Sequence, residues 1–311
     1  MLQLQGVNSE EGRLCMPKVS VIIPTHNRAE FLRSAITSVL NQTFQNFEIL
    51  IIDDASKDHT REVLSNFKDT RIKVIHNPVS KGDAGARNVG VMNSNCEYIA
   101  FLDDDDEWLP EKLKIQTCFL DECPSEVGGI CTDRFTIKEI GRIPLYTSSP
   151  ESNDLSKRNF ITTSSILLRK ECFEKQGLFD ETIPFCSDFD MWIRISKTYS
   201  FKVIKMPLVK YYIRGNSLTF NHERIIRGME ILFKKHDDFF KKNPKEYGKE
   251  YLNLGIHYCC NGEMQKGRKA FSKAIRMSPF DIRNYFYLSL SLLGSERFEK
   301  LKKMKEKVFV Q

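Results

Sequence analysis

Apolar residues recur in two alternating rhythms through the first third of the chain. Val19-Ser20-Val21-Ile22-Ile23 is a β-branched run of strand length, closed by Pro24, which cannot donate to a central ladder. From residue 29 to 40 the spacing turns helical, with Phe31, Leu32, Ile36, Val39 and Leu40 on one face. A second strand is predicted over 47–52, ending at Asp53-Asp54. A helix follows over about 60–67, with Ser56 or Asp58 as its N-cap. Residues 72–75 read as a third strand, 82–85 as a loop, 86–93 as a helix and 98–102 as a fourth strand. Strands alternating with helices imply an α/β fold with a mostly parallel central sheet and right-handed crossovers. The strands ending at Ile23, Ile52 and Leu102 all give way to polar residues on one sheet edge, where open α/β sheets bind nucleotides.

The texture changes near residue 223 to long helical patterns rich in Lys, Phe and Leu, broken at Asn243-Pro244. Tyr251, Leu254, Gly255, Tyr258, Gly262, Gly267, Phe271, Ala274 and Pro279 then fall at offsets resembling one tetratricopeptide repeat near 248–281. Residues 284–293 and 295–307 resemble a degenerate second copy. One such unit cannot bury its own face, so it must pack on the first domain or on a partner. The predicted division is a disordered segment 1–16, an α/β domain 17–220 and an all-α region 221–311.

Composition suits a soluble globular chain: 311 residues, 41% apolar and 28% charged. No stretch is long and apolar enough to span a bilayer. Nine scattered cysteines without a C-x-x-C pair, in a chain without a signal peptide, read as reduced cytoplasmic thiols. Charge is uneven. Residues 222–311 hold 20 Lys+Arg against 11 Asp+Glu, and the other 221 residues hold 27 against 30. A basic tail on a slightly acidic body points to a polyanionic partner such as an anionic membrane or nucleic acid, or to a solvated helical face.

The chemistry gathers at Asp103-Asp104-Asp105-Asp106, directly after the apolar run 98–102. Four adjacent carboxylates at a strand's carboxyl end repel one another unless a cation sits among them, so the run is a candidate hard-metal site. A solvated acidic loop is the other reading. No G-x-G-x-x-G follows the first strand and no G-x-x-x-x-G-K-[ST] occurs, which disfavours dinucleotide and P-loop binding.

Five segments in order carry a family resemblance: Lys18-Val-Ser-Val-Ile-Ile-Pro-Thr-His-Asn-Arg28; Gln42-Thr43-Phe44 with Phe47 to Ser56; Gly85-Ala-Arg-Asn-Val-Gly90; Tyr98 to Trp108; and Ser187-Asp-Phe-Asp-Met-Trp-Ile-Arg194 with Gly177 to Glu181 before it. Together they resemble family 2 glycosyltransferases over about residues 17–215. The resemblance implies the GT-A fold, a nucleotide-sugar donor (a uridine diphosphate sugar), inversion at the anomeric carbon, and Mn²⁺ or Mg²⁺ as cofactor. It implies that Pro24, Thr25 and His26 line the nucleotide pocket, that Asp54 accepts the uracil N–H, and that Asp53 shapes the turn. Arg87, read as opening its helix, reaches base or phosphate oxygens, or else makes an ordinary surface ion pair.

By the same resemblance Asp103 to Asp105 form a D-x-D motif. Asp105 is the first choice for metal ligation, Asp103 a further metal and donor ligand, and Asp104 a donor-binding residue. Asp106 and Glu107 support the site or cap a helix near Pro110. Asp188 fits the general base, with Asp190 as rival and Ser187 replacing the usual carboxylate. Thr163 to Ser165 form a sugar-facing wall or a plain strand edge. Residues 212–217, with Arg214, match a loop that closes over the phosphates. Family members of this size build surface polysaccharide, lipopolysaccharide or glycoprotein glycans, commonly on lipid-linked acceptors at the cytoplasmic membrane face. The implied partners are therefore a donor and a glycan or lipid-linked acceptor, with the basic helices meeting an anionic membrane or a protein rather than nucleic acid. An inactive scaffold acting through the helical tail is the alternative.

Overall fold

The computed structural model describes residues 17–138, 145–147, 154–157, 159–214 and 221–308. The disorder expected for 1–16 lies outside them. Val19–Thr25 (β1), Ala29–Leu40 (α1), Phe47–Asp53 (β2), Thr60–Ser65 (α2), Ile72–His76 (β3), Gly82–Asn93 (α3) and Tyr98–Phe101 (β4) alternate as the periodicity predicts. They give a parallel half-sheet ordered β3-β2-β1-β4.

Two local expectations need correction. β1 does not stop at Pro24 but runs through it. Pairing with β4 ends at Ile22 opposite Phe101, while pairing with β2 continues to Thr25 opposite Asp53. The N–H that proline lacks would face the β4 side, where no ladder remains. Helix α3 begins at Gly82 rather than Ala86, so Arg87 lies in its second turn and does not open it.

Glu107–Trp108 (β5), Lys112–Asp121 (α4), Val127–Lys138 (β6), Leu145–Thr147 (β7), Ile166–Arg169 (β8), Glu171–Gln176 (α5), Ser187–Ile195 (α6) and Ser200–Ile213 (β9) follow. They extend the sheet as β4-β8-β6-β9-β5, with β7 on β6. β8 is antiparallel to both β4 and β6, whereas β6 and β9 are parallel.

The pleat sends alternate β1 residues to opposite layers. Val19, Val21 and Ile23 pack with Leu32, Ile36 and Val39 of α1. Ile22 joins Ile52, Ile99 and Phe101 in the other layer, beneath α3 and α6. Helix α3 lies so close that a Cβ at Gly90 would stand 2.4 Å from Ile22 Cγ2.

The tail contains His222–Lys235 (α7), Asp237–Lys241 (α8), Pro244–Cys260 (α9), Met264–Met277 (α10), Ile282–Leu290 (α11) and Ser295–Val308 (α12). Its first helices share the α6 layer: Ile225, Met229, Leu232 and Phe240 belong to the same core as Trp192. Phe189 of α6 meets Phe239 and Phe240 edge-on at 6.3 and 6.0 Å. The tail thus buries an apolar face on the first domain. Helices α9 and α10 form a tight hairpin over the segment expected to be repeat-like. Cβ atoms at Gly255 and Gly267 would fall 2.4 Å from the Phe271 ring and 2.3 Å from Cys259 Sγ.

Candidate active site

The carboxyl ends of β1, β2 and β4 open onto a cavity of about 420 Å³. Pro24, Thr25, His26, Asp54, Arg87, Asp103, Asp104 and Asp105 all line it, so the sequence-predicted donor and metal residues converge. Tyr212, from the segment expected to close over the phosphates, lines it as well, and so do Arg28, Ser80, Asp83, Tyr211 and Arg224, to which the sequence assigns no donor role. Arg28 closes the first of the five family segments. Arg224 carries no local signal, since it comes from α7 of the helical tail.

The β1–α1 and β2–α2 loops are knitted together. His26 Nδ1 lies 2.6 Å from the Asp54 carbonyl, and Asn27 N donates to Ser56 Oγ at 3.0 Å. Asn27 Oδ1 accepts from Lys57 N at 2.7 Å. Asp58, rather than Ser56, receives the α2 amide of Thr60 at 3.1 Å, and its other oxygen accepts from Ala29 N of α1. Asn27 and Ala55 have φ of 54° and 61°, and Cys186, just before α6, has 62°. Left-handed backbone at non-glycine residues costs energy and clusters at functional sites. Among the described residues, the three with such backbone lie in the loops around this site and just before α6.

Asp53 is fully buried and accepts from Ser56 N at 3.0 Å and from His76 Nδ1 at 2.8 Å, so it shapes the turn. The Asp54 carboxylate is densely engaged. It accepts from Asn77 Nδ2 (2.7 Å), Ser80 Oγ (2.7 Å), Lys81 N (2.9 Å) and Gly82 N (2.9 Å). Burial would raise its pKa, but these donors win and lower it. Asp54 therefore stays ionised and holds the start of α3, which carries Arg87.

Arg87 is buried and forks between Asp83 at 2.6 Å and Asp103 at 2.7 Å. It is not an ordinary surface pair. The segment Gly177 to Glu181 anchors its helix: Asn88 Nδ2 donates to the Phe179 carbonyl (2.9 Å) and to Glu181 (2.8 Å), and Phe179 N donates back at 2.8 Å.

The acidic run divides by environment. Arg28 Nη1 donates to Asp105 at 2.6 Å and approaches Asp104 at 3.3 Å. Burial pushes the Asp103 carboxyl up to about 6 against the pull of Arg87. It pushes Asp104 up to about 7 against the pull of Arg28. Asp106 is 1% exposed and caps no helix. It accepts from Ser164 Oγ at 2.6 Å and from Tyr212 N at 3.1 Å, tying the acidic loop to β9. Burial, with Asp103 beside it, drives its pKa well upward. Glu107 accepts from Lys210 at 2.9 Å and from Tyr212 Oη at 3.1 Å. Helix α4 begins only at Lys112, without a side-chain cap.

The Thr163 to Ser165 segment is a short 3₁₀ turn leading into β8. Its hydroxyls are committed to the protein. Ser164 Oγ also accepts from Asp103 N at 3.2 Å, and Ser165 Oγ donates to the Thr162 carbonyl at 2.8 Å. Thr163 Oγ1 donates to Asp188 Oδ2 at 3.2 Å. The expected sugar-facing wall instead braces the acidic loop and Asp188. Arg214 lies over the Phe31 ring at 3.7 Å and donates to the Asp105 carbonyl at 3.4 Å. Residues 215–217 of the expected phosphate loop fall outside the described residues.

Asp188 and Asp190 separate cleanly. Asp188 is partly exposed, and burial raises its pKa while the nearby Arg87 cation opposes the rise. Asp190 is 0% exposed and accepts from Arg194 at 2.9 Å, Lys235 at 2.8 Å and His236 at 2.7 Å. Burial alone would raise Asp190, but these partners hold it far below the usual carboxylate range. A carboxylate so committed cannot abstract a proton, and Asp190 is a bolt between α6 and the tail.

Among the described residues, no three His, Cys, Asp or Glu side chains converge as a ready-made cation cage. Mg²⁺ and Mn²⁺ do not require one, because one or two carboxylates plus substrate phosphates and water suffice. Asp105 and Asp103 on the cavity wall, in an oxygen-rich setting whose buried carboxyls shift upward, fit such an ion.

A parallel nucleotide-binding half, extended by antiparallel strands and carrying an acidic loop at the switch between them, defines the GT-A class of sugar transferases. Residues 20–198 match the family described as Glycosyl transferase family 2, and the chain belongs to that family and is a glycosyltransferase. It is 30% identical over 239 residues to the putative colanic acid biosynthesis glycosyl transferase WcaA of Escherichia coli K12, covering 74% of this chain and 85% of that one. It is 28% identical over 312 residues to the GalNAc(5)-diNAcBac-PP-undecaprenol β-1,3-glucosyltransferase of Campylobacter jejuni, covering 93% and 98%. Three Rickettsia glycosyltransferases also match, of whose length the chain spans only about a third. Residues 1–349 of S. aureus TarS, crystallised with UDP-GlcNAc, superpose with a TM-score of 0.60 at 17% identity, covering 87% of this chain and 90% of that one. That likeness shows the fold.

Proposed function

We propose that this chain transfers a sugar, with inversion, from a uridine diphosphate sugar to a hydroxyl of a lipid-linked acceptor in the assembly of surface polysaccharide, lipopolysaccharide or glycoprotein glycan. The observation that carries the reading is the single cavity in which Asp54, Arg87 and the acidic run meet, with Asp188 beside Arg87. The Campylobacter relative's name, which specifies an undecaprenol-linked acceptor and a glucosyl group, supports the acceptor class.

In the proposed reaction the donor diphosphate lies against Arg28, Arg87 and Arg224, and the base lies over Pro24 to His26 near Asp54. Asp188, held by Thr163, takes the proton from the acceptor hydroxyl. The acceptor oxygen bonds to the anomeric carbon as the bond from that carbon to the diphosphate oxygen breaks, releasing the nucleoside diphosphate. Asp105 and Asp103 would hold a Mg²⁺ or Mn²⁺ ion, whose chemistry is to neutralise charge growing on the leaving diphosphate. For that site to bind metal and donor together, Arg28 must yield its contact with Asp105. The helical tail is read as carrying a tetratricopeptide-like repeat near 248–281, and its first helix, α7, delivers Arg224. An inactive scaffold would have no use for an ionised Asp54 and a buried Arg87 on one cavity wall with the Asp188 carboxylate close to Arg87.

The test is turnover of a nucleotide-sugar panel with Mn²⁺ and with Mg²⁺, using a polyprenyl-diphosphate saccharide as acceptor. Consumption of a uridine diphosphate sugar with matching acceptor extension supports the proposal. Turnover only of a guanosine or cytidine donor overturns the donor assignment. Undiminished turnover in chelator overturns the metal.

A further inference from the structure

The distal end of the helical tail combines two features that the sugar-transfer site does not use. Phe280, in the turn between α10 and α11, is 96% exposed, Ile282 is 80% exposed and Leu292 67%. Tyr285, Phe286 and Leu293 are half-exposed. On α11 the outward positions are Ile282, Tyr285, Phe286 and Ser289, at the i, i+3, i+4, i+7 spacing of one helical stripe. The rest of the helix buries Asn284 and Leu290, and Tyr287 stacks on Phe271 and meets Phe298 at a tilt. The helix is thus amphipathic twice over, with one apolar side in the tail's own core and another in water. Apolar residues gathered this way, rather than scattered singly, mark an interaction surface.

Charge selects the partner. Residues 264–308 carry 12 Lys+Arg against 4 Asp+Glu, whereas 222–263 carry 8 against 7. The positive excess of the tail therefore lies on α10 and α12, the two helices that flank the apolar stripe in sequence, while residues 280–293 carry one Arg and one Asp. A second copy of the chain would bring the same positive segment against itself, and like charges across an interface disfavour association. A fully exposed Phe at a turn, an apolar helical stripe and surrounding Lys and Arg are the composition of an interfacial helix.

We propose that the α11 face, with Phe280 and Leu292–Leu293 at its two ends, seats on an anionic lipid bilayer. The apolar side chains enter the headgroup boundary, and basic residues such as Arg297 and Lys300 meet the lipid phosphates. This proposal does not depend on which donor or acceptor is used, because a lipid surface alone should bind.

The experiment is co-sedimentation of the full chain, without donor, with vesicles of phosphatidylcholine or of a phosphatidylcholine–phosphatidylglycerol mixture. Binding should be about tenfold or more stronger on the anionic vesicles and should weaken at high salt. The triple variant Phe280→Ser/Ile282→Ser/Phe286→Ser should lose about tenfold or more of that binding while keeping its melting temperature and nucleotide affinity. If the triple variant misfolds, Arg297→Glu/Lys300→Glu provides the second test and should abolish the preference for anionic vesicles. Equal binding to both vesicle types, or wild-type binding by the folded variants, overturns the proposal. So does a wild-type dimer in solution that the triple variant converts to monomer, which would assign the face to a second copy.

Discussion

Asparagine at Asp188 and at Asp190, tested one at a time, should separate catalysis from stability within two residues of one helix. Asp190 is fully buried with Arg194, Lys235 and His236 within 2.9 Å. Asn there leaves Arg194 and Lys235 without their buried counter-charge, a loss of about 3–5 kcal/mol by the usual cost of breaking a buried ion pair. For a chain of this length that lowers the melting temperature by on the order of 10 °C. The folded-state pKa of Asp190 is lowered, so its stabilisation is fully present above the unfolded carboxylate value and is lost only as pH falls below about 4. A melt at neutral pH therefore reads the whole effect. Asp188 has the opposite sign. Its folded pKa is raised, so ionisation costs stability at neutral pH, a cost that fades as pH falls through the folded value. Asn at 188 should leave the melting temperature unchanged or higher while cutting turnover about 10²–10⁴-fold, the range for a lost general base. Thermal melts, uridine diphosphate titration and acceptor extension per folded molecule provide the readouts. An Asp190→Asn protein that melts like wild type but is inactive would refute the assignment, as would near-normal turnover by Asp188→Asn.

Further outcomes follow from the same geometry. Asp105→Ala should abolish the metal-dependent part of nucleotide binding, and calorimetry showing wild-type metal dependence would remove Asp105 from the metal site. Because burial raises Asp103 to about 6 and Asp104 to about 7, protons should compete with the divalent ion. Mn²⁺ affinity should therefore fall between pH 8 and pH 6, with proton release on binding visible as a buffer-dependent heat. Lys112 is fully buried 3.8 Å from the Trp108 ring centroid, and its Nζ has no hydrogen-bond partner. Burial drives its pKa well down, so Lys112→Met should stabilise the protein by about 1–3 kcal/mol at pH 7. The gain should shrink toward pH 10, where the unfolded lysine also loses its proton. Gly255→Ala, normally stabilising within a helix, should instead cost about 1–3 kcal/mol in a denaturant melt, because its Cβ meets the Phe271 ring.

The half-sheet β1 to β4 and the donor wall were legible because their signals are local. β-branched runs, helical spacing and acidic strand ends lie within a few residues of one another, and the family segments recur in order. What stayed hidden depends on distant partners. Whether Asp188 or Asp190 was free could not be read from spacing, because His236 and Lys235 lie on the tail. Asp106 read as a possible cap because Ser164 and Tyr212, which bind it, are far away in sequence. β6 and β9 were not predicted as long strands because Lys, Asp, Arg and Pro interrupt them, and register irregularities let the ladder absorb those residues. Arg224 reached the cavity by tertiary packing alone.

The joint between α6 and the first tail helices limits how this enzyme can be rebuilt. Phe189 packs on Phe239 and Phe240, while Asp190 on the same helix holds His236, so the tail helps set the pitch of the helix that presents Asp188. Grafting another extension after residue 220, or swapping tails between relatives to change the acceptor, would therefore retune the position of the proposed base along with specificity. Exchangeable modules in this protein would have to be cut beyond α10, because Ala270 on that helix still belongs to the core shared with α6.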